Sequence, residues 1–168
     1  MDIHVRATAS GPFLYLGDAA IPCVAGRGGI GLKQKEGDGI TPIGRWPVRR
    51  LWYRADKLSL PPVAIPVRAI APEDGWCDAP EDPHYNRPVR LPYPASHEEM
   101  WRADDLYDLV LELGYNDAPV VPGRGSAIFM HLVRPDREPT AGCIAVTPAD
   151  MLRVLSMLTP ASHVIVAG

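Results

Sequence analysis

Hydrophobic and polar positions sort most of the chain into short strands. Phe13 to Leu16 and Ala19 to Ala25 are apolar runs separated by Gly17-Asp18, a pattern that reads as a β-hairpin with its turn. The aromatic and β-branched stretch Trp46 to Tyr53 predicts a third strand, and Ala127 to Val133 and Val164 to Ala167 predict two more. Two segments instead repeat with helical period. In Ala103 to Leu113 the residues Leu106, Leu109, Val110 and Leu113 share one helical face and Gly114 stands at the C′ position, which predicts a helix. A second helix is predicted from Thr147 as N-cap, Pro148 at the first helical position and Asp150 at the third. It carries Met151, Leu152, Val154, Leu155 and Leu158 and ends near Pro160.

Glycine and proline punctuate the rest. Glycines at 26, 28, 29, 31, 37, 39 and 44 predict a long loop. Prolines at 61, 62, 66, 72, 80, 83, 88, 92 and 94 permit strand edges and ordered loop but no helix interior. Strands outnumber helices and no βαβ alternation appears, so the pattern predicts a mainly β fold with two or three short helices. Without a repeat, linker or low-complexity tract, residues 1–168 are expected to form a single domain.

Composition narrows the function classes. With 19 Pro and 15 Gly among 168 residues a helical bundle is excluded, while 46% hydrophobic and 22% charged residues are ordinary globular values. Lys and Arg total 17 against 20 Asp and Glu, a net charge of −3 that gives no overall electrostatic footprint for nucleic acid or an anionic membrane. No apolar run approaches the ~20 residues of a membrane helix, and Met1 to Ser10 has no apolar leader stretch, so a soluble, leaderless chain is expected. Cys23, Cys77 and Cys143 are an odd count with no CxxC pair, which fits neither a disulfide framework nor a zinc ribbon and leaves at least one thiol free.

Several motifs resemble chemistry without the context it needs. Gly26-Arg27-Gly28-Gly29-Ile30-Gly31 matches GxGxxG, but Gly37, Gly39 and Pro42 follow and leave no helix N-terminus to face a pyrophosphate. A glycine loop without a cofactor is expected. His97-Glu98-Glu99-Met100-Trp101 begins like HExxH, yet Trp101 replaces the second His, so no zinc pair forms on a helix face. His4, His84 and His163 have no partner at ligand spacing, and Ser126 lacks the second glycine of a nucleophile elbow. No metal site is expected.

One constellation remains. His131 lies inside an apolar strand, and Cys143 follows in Thr140-Ala141-Gly142-Cys143-Ile144-Ala145, so a strand, a loop and a return bring the two together. A thiol beside an imidazole becomes thiolate near neutral pH and serves as a nucleophile. Gly142 lets backbone N–H groups approach a developing oxyanion with no Cβ in the way. Taken alone, the pair fits a core histidine and an inert buried thiol equally well.

His131 followed by T-x-G-C resembles the H…[ST]-x-G-C signature of the L,D-transpeptidase (YkuD-type) catalytic domain family. Upstream, Gly37-Asp38-Gly39-Ile40-Thr41-Pro42-Ile43-Gly44-Arg45-Trp46-Pro47-Val48 is similar to that family's G-D-x-x-T-P-x-G-x-[FY]-x-[IV] segment, and the two motifs frame residues 10 to 167. The resemblance implies a β-sandwich and a cysteine thioacyl-enzyme formed on peptidoglycan stem peptides or muropeptides, resolved by an amine or by water. It assigns Cys143 as nucleophile, His131 as base, the Leu132 carbonyl as the group orienting the imidazole, and the Gly142 and Cys143 N–H groups as oxyanion donors. Ala141 and Ala145 stand where many members carry His and Arg, and the loop from His131 to Cys143 is shorter than usual. A binding module without turnover is the competing expectation.

Trp76, Tyr85, Asn86, Tyr115 and Asn116 suit a peptide cleft, and equally suit ordinary turn chemistry. Thr140 and Arg134 complete the candidate substrate contacts, with Arg124 and Arg137 as further cations near His131. The family's polymer substrate implies the periplasm or cell envelope, and the missing leader leaves a cytoplasmic role on recycled muropeptides as the alternative.

Overall fold

The computed structural model describes Met1–Gly168 as fourteen strands and one helix. The chain opens as a meander of β1 (Ile3–Thr8), β2 (Gly11–Leu16) and β3 (Ala19–Pro22), with Gly17 at positive φ in the turn expected between the two apolar runs. The glycine-rich segment that follows is loop with two short parallel strands, β4 (Ile30–Gly31) and β5 (Thr41–Pro42). No helix follows the GxGxxG match. The predicted third strand is β6 (Gly44–Tyr53), whose first half pairs with a C-terminal strand and whose second half pairs with β7 (Val67–Ala69).

The proline-rich stretch carries only short strands, as its missing N–H groups dictate. β8 (Asp74–Cys77) lies between β9 (Pro88–Arg90) and β10 (His97–Glu99) in a small antiparallel sheet. Beyond it run β11 (Leu109–Leu113), β12 (Phe129–Leu132), β13 (Ile144–Val146), helix α1 (Pro148–Met157) and β14 (His163–Ala167). The main sheet runs β13-β12-β11-β6-β14-β1-β2-β3. Its two ends meet where Val24 and Ala145 exchange backbone hydrogen bonds at 2.8 Å, which gives the molecule a barrel-like closure.

The helix expected over Ala103 to Leu113 is a turn followed by β11. Leu109, Leu111 and Leu113 face the main core while Val110 faces the opposite side, so the run is buried on both faces. For a short continuous apolar run, periodicity alone does not separate helix from strand. Pairing with β6 and β12 decides it. Asp104 accepts from the Leu106 N–H and the Asp108 N–H bonds to the Asp105 carbonyl, which turns the chain into the strand. Gly114 caps no helix; its N–H donates to the Pro47 carbonyl at 2.8 Å. The structure therefore has one helix in place of the expected two or three. α1 starts as predicted, with Thr147 at the N-cap accepting from the Asp150 N–H, and it ends at Met157, short of Pro160.

Strand alternation builds two main cores, beside a small third cluster of Cys77, Ala79 and Val89. Met151, Val154 and Leu155 of α1 pack with Met130, Leu132, Ile144 and Val146 in the larger one. The smaller core joins Trp52, Trp76, Tyr107, Phe129 and Cys143, with the Trp76 ring edge-on to Phe129 at 5.0 Å. The three-stranded sheet is thereby fixed over the face of the main sheet opposite the larger core. His131 and Phe129 occupy alternate positions of β12, so the period that buries Met130 and Leu132 on one side turns His131 toward the side that holds Cys143.

Candidate active site

Cys143 ends a turn that two separate segments hold in shape. Gly142 has φ +138°, and a Cβ there would stand 2.9 Å from the Ile40 carbonyl oxygen, so glycine is required on both conformational and steric grounds. The Thr140 hydroxyl donates to the Cys143 carbonyl at 2.6 Å and accepts from the Gly142 N–H at 3.1 Å. From the glycine loop, fully buried Thr41 donates to the Gly142 carbonyl at 2.9 Å and accepts from the Gly26 N–H at 2.8 Å. Asp38 shapes the same loop: it pairs with Lys33 at 2.6 Å and accepts from the backbone N–H groups of Gln34, Lys35 and Ile40. These donors overcome its burial and hold its carboxyl far below the usual carboxylate range. The two sequence motifs, distant in the chain, are thus one structural unit.

The Cys143 thiol donates to the Ala127 carbonyl at 3.2 Å and accepts from the Phe129 N–H at 3.4 Å. Burial pushes the thiol up to about 12, and the charge of Glu98 pushes in the same direction. His131 Nδ1–H donates to the Leu132 carbonyl at 2.8 Å, which fixes the tautomer and leaves Nε2 as the acceptor nitrogen. Burial holds the imidazole down to about 4, overriding that hydrogen bond. Burial thus favours the uncharged form of both the thiol and the imidazole.

Both residues line one hollow of about 290 Å³, together with Tyr107, Glu98, Arg134 and Thr140. Tyr107 lays its ring against the imidazole with centroids 5.3 Å apart and donates its hydroxyl to Glu98 at 2.7 Å. The Cys143 N–H donates to no protein group, whereas the Gly142 N–H is taken by Thr140. Of the two expected oxyanion donors, the Cys143 N–H is the free one.

Of the seven expected substrate contacts, the structure brings only Thr140 and Arg134 to this hollow, and Arg134 forms no ion pair there. The other five, of which Trp76, Tyr85, Asn86 and Tyr115 are buried and Asn116 is half-buried, form a frame behind the thiol. Asn86 donates to the carbonyls of Tyr115 and Asn116, while its Oδ1 accepts from Trp76 Nε1 and from the Ala127 N–H, each at 3.0 Å. It thereby holds the residue whose carbonyl receives the thiol proton. Tyr85 donates to Glu36 and accepts from the Gly125 N–H. Tyr115 donates to the Arg124 carbonyl, and Asn116, at φ +49°, ties the loop through Val121 and Gly125. Arg124 borders a depression beside Tyr115 and Asn116, and Arg137 borders a separate groove with Cys23. All three cysteines are free and buried. Tyr107 and Glu98 escaped the sequence reading because one lay in the expected helix and the other in a failed zinc motif.

No helix is long and apolar enough to cross a membrane. No curated protein and no solved structure matches the chain significantly. The family model of the L,D-transpeptidase catalytic domain (YkuD) matches residues 10–166, nearly the whole of a mainly β chain whose two motifs converge on one turn, and the protein belongs to that family.

Proposed function

We propose that the protein catalyses cysteine-dependent acyl transfer on peptidoglycan stem peptides or muropeptides at the cell envelope. The observation that carries this reading is the shared hollow of Cys143 and His131, with the imidazole tautomer fixed by Leu132 and the Cys143 N–H left free. A docked L,D-peptide displaces water, and His131 Nε2 takes the thiol proton as sulfur attacks the amide carbonyl. The developing oxyanion lies at the Cys143 N–H, a contact of a kind whose loss costs about 10²–10³-fold in rate. His131 then returns the proton to the leaving amine, and an amine or water resolves the thioester. Activation belongs to the bound state in this scheme, because the free thiol is held up at about 12.

Incubation with murein tetrapeptide or a carbapenem, followed by intact-mass measurement, is expected to show one acyl adduct that Cys143→Ala abolishes. An adduct that survives Cys143→Ala would overturn the mechanism. A high thiol is also what a peptide-binding module without turnover would carry, with Ala141 and Ala145 marking the lost contacts. Binding of tetrapeptide with no adduct at any pH supports that second reading.

A further inference from the structure

Glu98 has no role in the scheme above, yet its side chain lines the same hollow as His131 and Cys143. It sits on β10 opposite Trp76 of β8, so the two share a face over the smaller core. Oε2 accepts from the Tyr107 hydroxyl at 2.7 Å, and no protein group donates to Oε1. Burial raises the carboxyl, the charges of Asp78 and Glu36 raise it further, and the Tyr107 hydrogen bond and Arg102 act in the opposite direction. Asp78 Oδ1 is itself buried without a hydrogen-bond partner. The remaining charged groups of the hollow are Arg27, Arg102 and Arg134, with Glu138 near the exposed Pro139 edge. Arg102 is paired with Asp104 at 2.6 Å, and an entering ammonium is drawn to the carboxylate that lines the same hollow as the thiol.

We propose that Glu98 receives the amine that resolves the Cys143 acyl-enzyme: the free carboxylate oxygen binds the incoming ammonium and takes one of its protons. The inference rests on the acyl-transfer reading and adds to it the selection of amine over water. Primary amines arrive protonated at neutral pH and have no lone pair until that proton leaves. After transfer to Glu98 the neutral amine attacks the thioester carbonyl, its nitrogen loses a second proton to His131, the C–S bond breaks as the C–N bond stands, and His131 protonates the departing thiolate. Ammonium, thioester and carboxylate thus become amide, thiol and carboxylic acid. Water enters uncharged and needs no such acceptor.

The test offers full-length protein the murein tetrapeptide as donor and D-alaninamide as amine, and reads amide against hydrolysed product by mass spectrometry. Carbapenem adduct formation is followed in parallel as a measure of an intact Cys143 site. Glu98→Gln, which keeps an acceptor for Tyr107, is expected to lower the amide-to-acid ratio by at least about tenfold, a ratio read on molecules already acylated and so independent of the acylation rate. Glu98→Asp retains part of the ratio, and Tyr107→Phe, which keeps the carboxylate, retains most of it. An unchanged ratio in Glu98→Gln, or an equal loss in Tyr107→Phe, overturns the proposal while leaving acyl transfer standing. No amide from a wild type that forms adduct does the same, whereas a wild type that forms no adduct removes both readings.

Discussion

Burial lowers the His131 imidazole and raises the Cys143 thiol, and the first of these has a measurable consequence for stability. The imidazole has an ordinary value of 6.5 and is held at about 4 in the folded chain. Between those values the unfolded chain binds the proton and the folded chain does not, so stability falls as pH drops from 6.5 toward 4 and is complete above 6.5. The loss amounts to about 3 kcal/mol at pH 4. Urea midpoints of wild type and His131→Gln, compared at pH 7 and pH 4, are expected to show the wild type losing that much more than the variant, because carboxylate effects are common to both chains. A difference that stays constant with pH would mean that the imidazole is neither buried nor neutral. His131 and Cys143 were legible in the sequence as residue types at a spacing. Their protonation states were not, since desolvation depends on Phe129, Tyr107 and Ala127 packed around them.

Among the elements, the glycine loop has the most specific task. Thr41 spans from Gly26 to Gly142 with one hydroxyl that both donates and accepts, so Thr41→Val leaves a buried N–H and a buried carbonyl without partners. At the usual cost of a buried unsatisfied group this is about 2–4 kcal/mol. Thermal melting should fall accordingly, the rate of Cys143 acylation should fall with it, and Thr41→Ser should recover both. The loop also shows why close backbone approach needs glycine: a Cβ on Gly26 would stand 1.9 Å from the Gly39 carbonyl oxygen. Sequence reading placed this segment as loop and matched its motif. Its partner across the molecule, the turn before Cys143, was beyond reach because hydrogen bonds between distant segments leave no periodic trace. The segment over Ala103 to Leu113 shows the converse, a local period whose helical reading was overridden by pairing with β6 and β12.

At the scale of the molecule, the chain ends are interior to the sheet. β14 pairs antiparallel with β6 and parallel with β1, and Val164 and Val166 lie in the larger core. Removal of His163–Gly168 therefore parts β1 from β6, leaves the β1–β3 meander joined to the sheet only at the Val24–Ala145 closure, and exposes Ile3, Val5 and Leu14, which are fully buried. The truncated chain is expected to lose cooperative unfolding in far-ultraviolet circular dichroism and to form no acyl adduct. A sharp melting transition in that chain would place the stability elsewhere than in sheet continuity. β1 alternates apolar and polar residues over Ile3-His4-Val5-Arg6-Ala7-Thr8, a strand period that the sequence reading did not use, and its central place in the sheet comes from its neighbours on both sides.

By itself the sequence determined that this is a mainly β chain of short strands with a well-capped C-terminal helix, and that His131 and the Thr140 to Cys143 turn are its candidate chemistry. Those features are local: alternation, capping and glycine placement act within a few residues. Tertiary structure alone decided that Trp76, Tyr85, Asn86 and Tyr115, with half-buried Asn116, form a frame behind the thiol, that Glu98 and Tyr107 join the hollow, and that burial raises the thiol and lowers the imidazole. Burial and long-range hydrogen bonding set these outcomes, and both are properties of the packed chain, since the same side chains in an open turn would have pointed to water.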